Sequence, residues 1–123
     1  MTLRELYQNI GGEYERATSV LRVEKLIDKH IRKFPDNSVV QSLIDAGKTM
    51  DATRLFESAH AMKGVCANLG LTALAALASE IAEEFRPGNP RTRSDAEVAA
   101  LIGKLETSAQ QAVTGIRAYE ASL

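Results

Sequence analysis

The 123-residue sequence has a single cysteine, Cys66, and only two histidines. It therefore lacks the material for an intramolecular disulfide or a structural zinc site. This suits a reducing compartment, and the cytoplasm is the expected location. Charge of one sign is also missing: 15 Lys and Arg stand against 16 Asp and Glu, for a net charge of −1. No strong field draws such a chain to nucleic acid or to an anionic membrane. No stretch approaches the roughly 20 apolar residues of a membrane helix. Met1-Thr2-Leu3-Arg4-Glu5 carries charge where a signal peptide needs an apolar run. There is no glycine-rich phosphate loop, and so no ATP site of its own. No cluster of carboxylates suggests a metal. Repeats, low-complexity tracts and interdomain linkers are absent. The expectation is a standalone protein of one domain, residues 1–123, without cofactor.

What is there is helical periodicity, with no strand pattern. Leu3, Leu6, Tyr7 and Ile10 predict a short amphipathic helix stopped at Gly11-Gly12, and Tyr14, Ala17 and Leu21 mark another. Val23, Leu26, Ile27, Ile31 and Phe34 form a stripe, and Val39, Val40, Leu43 and Ile44 continue it. Residues 23–47 therefore read as one long helical arm broken at Pro35. Asp51 is a plausible N-cap, with Met50 and Leu55 spaced as a hydrophobic staple, for a helix running to Leu69 and stopped by Gly70. Leu74, Leu77, Ala78, Ile81 and Phe85 stripe the next helix, close enough to form an antiparallel hairpin with it. Arg86-Pro87-Gly88-Asn89-Pro90 is a loop, and Ser94-x-x-Glu97 is a capping box. Val98, Ile102, Leu105, Ala109, Ala112, Ile116 and Tyr119 then alternate steps of four and three. That spacing reads as the intramolecular seam of a bundle helix rather than a homodimer seam, and a monomer is expected. The predicted fold is all-α: an antiparallel four-helix bundle with short N-terminal capping helices.

The segment around His60 carries the chemistry. At about 100° per residue, Leu55, Met62, Val65, Cys66 and Leu69 fall opposite His60 and define the core face. His60 then points outward, with Phe56 one turn before it and Lys63 and Gly64 one turn after. An exposed, neutral imidazole can attack phosphorus. Lys63 places a positive charge where phosphate oxygens would lie. Gly64 costs about 1 kcal/mol relative to alanine inside a helix. Either it gives a partner's active site room to close over His60, or it permits a close helix crossing.

Ala59-His60-Ala61-Met62-Lys63-Gly64-Val65-Cys66-Ala67-Asn68-Leu69-Gly70-Leu71 resembles the signature of the histidine-phosphotransfer (HPt) family, His-x-x-Lys-Gly followed by small residues and a helix-ending glycine. The resemblance covers roughly residues 23–119 and is most specific over 55–85. It implies a phosphocarrier, not an autonomous enzyme, in a two-component His–Asp phosphorelay. It implies His60 as phosphoacceptor, with Lys63 and Gly64 matching the family's lysine and glycine. It also implies partners: a response-regulator receiver domain and a sensor or hybrid histidine kinase, with the partner supplying Mg²⁺ and the acidic site. Cys66 departs from the Ser or Ala often found there.

Other residues have plainer readings. His30 lacks a Lys-Gly companion and reads as a surface side chain. Cys66 reads as an inert core residue. Phe56 either tucks against a neighbouring helix or meets a receiver. Asn68 either bonds locally or contacts a partner. Arg86, Arg91 and Arg93 read as a solvated charge cluster. The competing reading of the whole is a non-catalytic helical interaction module in which His60 is incidental. A metal-binding bundle is disfavoured, because His60 has no His or Glu at i+3 or i+4.

Overall fold

The helical periodicity is realised along the whole chain. A computed structural model describes all residues, Met1–Leu123, with no strand. The helices are α1 (Leu3–Asn9), α2 (Tyr14–Leu21), α3 (Glu24–Lys33), α4 (Val39–Thr49), α5 (Ala52–Asn68), α6 (Thr72–Phe85) and α7 (Asp95–Ala121), with one 3₁₀ turn at Phe34–Asp36. Helices α4 to α7 form the antiparallel bundle. Links as short as Met50-Asp51 and Leu69-Gly70-Leu71 leave consecutive helices no option but to run back along each other. Helices α1, α2 and α3 cap it, with α1 lying on α7, α2 on α5, and α3 against α2 and α7.

The arm expected over 23–47 is in fact two helices. Pro35 supplies no N–H, and the chain tightens into the 3₁₀ turn before Asn37 swings to an extended backbone. The Val39 N–H donates to the Asn37 side-chain oxygen at 3.0 Å, which starts α4 in a new direction. As a result α3 leaves the bundle and joins the cap, burying Ile27 and Ile31. The Tyr119 hydroxyl, on α7, donates to Asp28 and ties α3 in place.

One continuous core of 27 buried apolar residues runs through all seven helices. All seven stripe residues of α7, from Val98 to Tyr119, are buried within the chain. The cap is fastened to the α5–α6 turn by polar contacts. The buried Tyr7 hydroxyl donates to the Leu69 carbonyl at 2.6 Å, and the Glu13 N–H donates to the Gly70 carbonyl at 2.8 Å. Gly70 has a φ of +71°, and a Cβ there would stand 2.5 Å from the Glu13 carbonyl oxygen. Both facts demand glycine at the turn.

At the other end of the bundle, the loop after α6 is organised by a buried carboxylate. Glu84 accepts hydrogen bonds from the Thr92 N–H (2.6 Å), the Thr92 hydroxyl (2.8 Å), the Arg93 N–H (3.0 Å) and the Arg93 guanidinium (3.3 Å). The loop therefore ends in register with the Ser94–Glu97 capping box that opens α7. The loop arginines are engaged, not a free solvated cluster. Arg93 pairs with Glu84, while Arg91 pairs with Asp95 at 2.8 Å and covers the Phe85 ring at 5.0 Å.

The backbone N–H donors of Thr92 and Arg93 hold the Glu84 carboxyl down at about 2. A depressed folded-state value means this stabilisation is complete above the ordinary carboxylate range and is lost as pH falls toward about 2. Glu84→Gln is expected to lower the melting temperature by several degrees at pH 7, because the amide presents hydrogens to donors. The deficit should shrink steadily below the ordinary carboxylate range, as read from thermal melts of both proteins. A deficit that does not change with pH would show that the carboxylate charge is not what holds the loop.

Candidate functional site

Helix α5 begins where the Asp51 side chain accepts from the Arg54 N–H at 3.1 Å, as its cap residue should. It buries Leu55, Ala59, Met62, Cys66 and Leu69 between α4 and α6, while Val65 sits at the edge of this face, half-buried. The opposite face is bare. His60, Gly64, Ala67 and Asn68 are all exposed along it, and Phe56 and Lys63 lie half-buried on the side toward α6. Burial pushes the Cys66 thiol up to about 12, so it stays protonated and inert.

The His60 imidazole stacks on the Phe56 ring, with centroids 5.6 Å apart and planes at 21°. Phe56 in turn packs against the core, so the stack props an exposed imidazole on a fixed base. Phe56 thus has a structural task next to the histidine. The C-terminal end of α6 returns beside it and brings Arg86, whose guanidinium carbon lies 5.5 Å from the Phe56 centroid. Arg86 is oriented by Glu83, with Nη2 to Oε1 at 2.6 Å and Nε to the same oxygen at 3.1 Å. The Arg86 hydrogen bond is the main reason that the Glu83 carboxyl is held below its ordinary value, and the Lys63 charge contributes as well. Two cations, Lys63 and Arg86, therefore border the side of His60 facing α6, with Glu83 between them.

Arg86 and Glu83 are members of this neighbourhood that the sequence reading left out. The signal was indirect: in an antiparallel hairpin, the end of α6 must return to the first half of α5, next to Phe56. His30 is exposed on α3 and far along the chain from this group. The Asn68 side chain lines the hollows beside α2 and α3.

Gly64 is not a packing residue. A Cβ built there meets nothing within 4 Å, so no helix crosses close over it. No three His, Cys, Asp or Glu side chains come together that could hold a metal ion. No helix is long and apolar enough to cross a membrane. The arrangement offers an accessible nucleophilic nitrogen, flanking cations and an unobstructed approach.

The Gly64 geometry has a measurable consequence. Gly64→Ala should raise stability, by up to about 1 kcal/mol from helix propensity alone, in urea or thermal unfolding. A lower midpoint would mean that the methyl is crowded after all.

Residues 23–115 match the family model described as Hpt domain. Neither the curated proteins nor the solved structures contain a match.

Proposed function

The chain belongs to the Hpt domain family, and from that premise we propose that it is a histidine phosphocarrier of a His–Asp phosphorelay, with His60 as the phosphoacceptor. The family implies phosphotransfer and partners of two kinds, receiver domains and histidine kinases. Within this reading the whole chain, 1–123, acts as one cytoplasmic, monomeric carrier with no ATP site of its own. The observation that carries it is the exposed His60 ring, stacked on Phe56 in the bare face of α5, inside the matched region.

In the transfer step an imidazole nitrogen of neutral His60 attacks the phosphorus of a receiver's aspartyl phosphate. The P–N bond forms as the P–O bond to the aspartate breaks, and the carboxylate leaves with the electron pair. The second ring nitrogen keeps its proton, and the reverse step returns the group. Lys63 meets the phosphoryl oxygens as charge is redistributed. Gly64 leaves room for the receiver's active site to close over the ring. The receiver contributes the acidic site and the Mg²⁺ bound in it.

Three substitutions test these roles with a phosphodonor receiver. His60→Gln should abolish labelling while circular dichroism stays native, since the ring is outside the core, and His30→Gln should label normally. Labelling of folded His60→Gln would refute the assignment and favour the interaction-module reading. Lys63→Ala should slow transfer or shorten phosphohistidine lifetime by the worth of a charge-assisted hydrogen bond, about 1–3 kcal/mol. An unchanged rate and lifetime would reduce Lys63 to a surface cation.

A further inference from the structure

Nothing covalent fixes the plane of a histidine ring on an exposed helix face, because its second side-chain torsion is broad. In this protein a stack of neighbours acts against that freedom. Phe56 precedes His60 by one turn of α5 and lies on the same face, with the two ring planes at 21°. The Phe56 ring is half-buried against the core and so gives the imidazole a flat, anchored surface. The Arg86 guanidinium carbon stands 5.5 Å from the centroid of the same Phe56 ring.

Arg86 is itself held from several sides. Pro87 follows it and confines its backbone to the extended region, where it sits at φ −59° and ψ 130°. Its N–H donates to the Glu83 carbonyl at 3.4 Å, and its own carbonyl accepts from the Asn89 N–H at 3.0 Å. The Asn89 side chain donates to the same Glu83 carbonyl at 2.9 Å. The Glu83 carboxylate grips the guanidinium with both oxygens. Nη2 and Nε donate to Oε1 at 2.6 and 3.1 Å, and Nε donates to Oε2 at 3.2 Å. A surface ion pair ordinarily does little, because two long side chains must be ordered to form it. Here the backbone contacts order the arginine beforehand, and its fork spans both carboxylate oxygens. The outcome is a fixed cation on the ring that supports the nucleophile.

We propose that Arg86, gripped by Glu83, is a positioning residue for phosphotransfer: it steadies the Phe56 ring, and Phe56 sets the plane of the His60 imidazole for in-line attack on a docked receiver's aspartyl phosphate. Arg86 does this without touching the phosphoryl group. The bonds made and broken are those of the transfer step above. A receiver docked over α5 offers its phosphorus from one direction, so a ring already turned to that line reacts more often per encounter. A small free donor arrives from any direction and gains nothing from the stack. This role rests on the phosphocarrier reading, and the experiment separates the two.

The probes are phosphoramidate, a small donor whose P–N bond to ammonia is exchanged for one to imidazole, and a phosphorylated receiver domain selected for transfer to the unaltered chain. Phe56→Leu keeps the apolar packing but loses the flat face, whereas Phe56→Tyr keeps both. Arg86→Gln removes the cation, and Glu83→Gln loosens its grip. At saturating receiver, Phe56→Leu should slow transfer about threefold to tenfold, the worth of a stacked aromatic pair. Arg86→Gln should slow it about twofold to fivefold, the worth of a cation on a ring, and Glu83→Gln by less. Phe56→Tyr should transfer normally, and the half-saturating receiver concentration should hardly move in any variant. Labelling by phosphoramidate should stay within about twofold throughout. Adding Arg86→Gln to Phe56→Leu should cost no further rate, because the arginine acts only through the ring. In ¹³C-histidine-labelled protein, ring relaxation should show His60 loosening toward the exposed His30 in both single variants. A further loss from Arg86→Gln in the Phe56→Leu protein would put the guanidinium on the phosphoryl group and overturn the proposal. So would losses confined to the half-saturating concentration, or a change in melting temperature alone with transfer and ring order unaltered; each leaves the carrier reading intact. If neither donor labels the unaltered chain, the carrier reading itself falls, and this role with it.

Discussion

Helix α5 must be gripped firmly and yet left bare along one side, and the rest of the structure follows from reconciling these demands. Its buried face, from Leu55 to Leu69, is clasped between α4 and α6 and closes onto a core shared with α7. Its C-terminal end is fastened by α1 and α2 through the Tyr7 hydroxyl and the Glu13 N–H. None of these contacts intrudes on the face that carries His60 and Gly64. An exposed side chain is ordinarily a mobile one. Here the Phe56 stack restrains the imidazole without covering it, so ring access and ring orientation are obtained together.

The charges around this face are positioned from a distance. Arg86 stands over Phe56 because α6 ends there, and its guanidinium is turned by Glu83. The next residue, Glu84, is turned inward and gathers the N–H groups of Thr92 and Arg93, which sends the chain into α7. Two adjacent glutamates thus serve opposite purposes. Glu83 is exposed and tunes the surface near His60, while Glu84 is buried and anchors the loop. A buried carboxylate with four donors is satisfied, and its ionised form is strongly favoured.

Much of this was legible in the sequence, because helix periodicity and caps are local signals. The seam of α7, the Ser94 box, the Asp51 cap and the outward placement of His60 relative to Met62 and Cys66 follow from residue spacing alone. The direction of α3 did not. Pro35 announces a break but not its angle, which depends on the Asn37 side chain accepting from the Val39 N–H and on Tyr119, 91 residues from Asp28 in sequence, reaching it. Arg86 was misread for the same reason. Its neighbours Phe56 and Glu83 come together only after the hairpin closes, so composition made it look like one more loop cation. The sequence also left Gly64 with two explanations. Only the three-dimensional emptiness around it removes close packing from the choice.

The central claim is that the ring on the bare face of α5 is the one that carries phosphate. It is tested most directly by treating the chain, labelled with ¹⁵N-histidine, with phosphoramidate and recording long-range ¹H–¹⁵N spectra of its two imidazoles. The account predicts that one set of ring signals, that of His60, moves to the pattern of an N-phosphorylated imidazole, while His30 is unchanged. Phosphorylation of His30, or of neither ring in the folded protein, would contradict it.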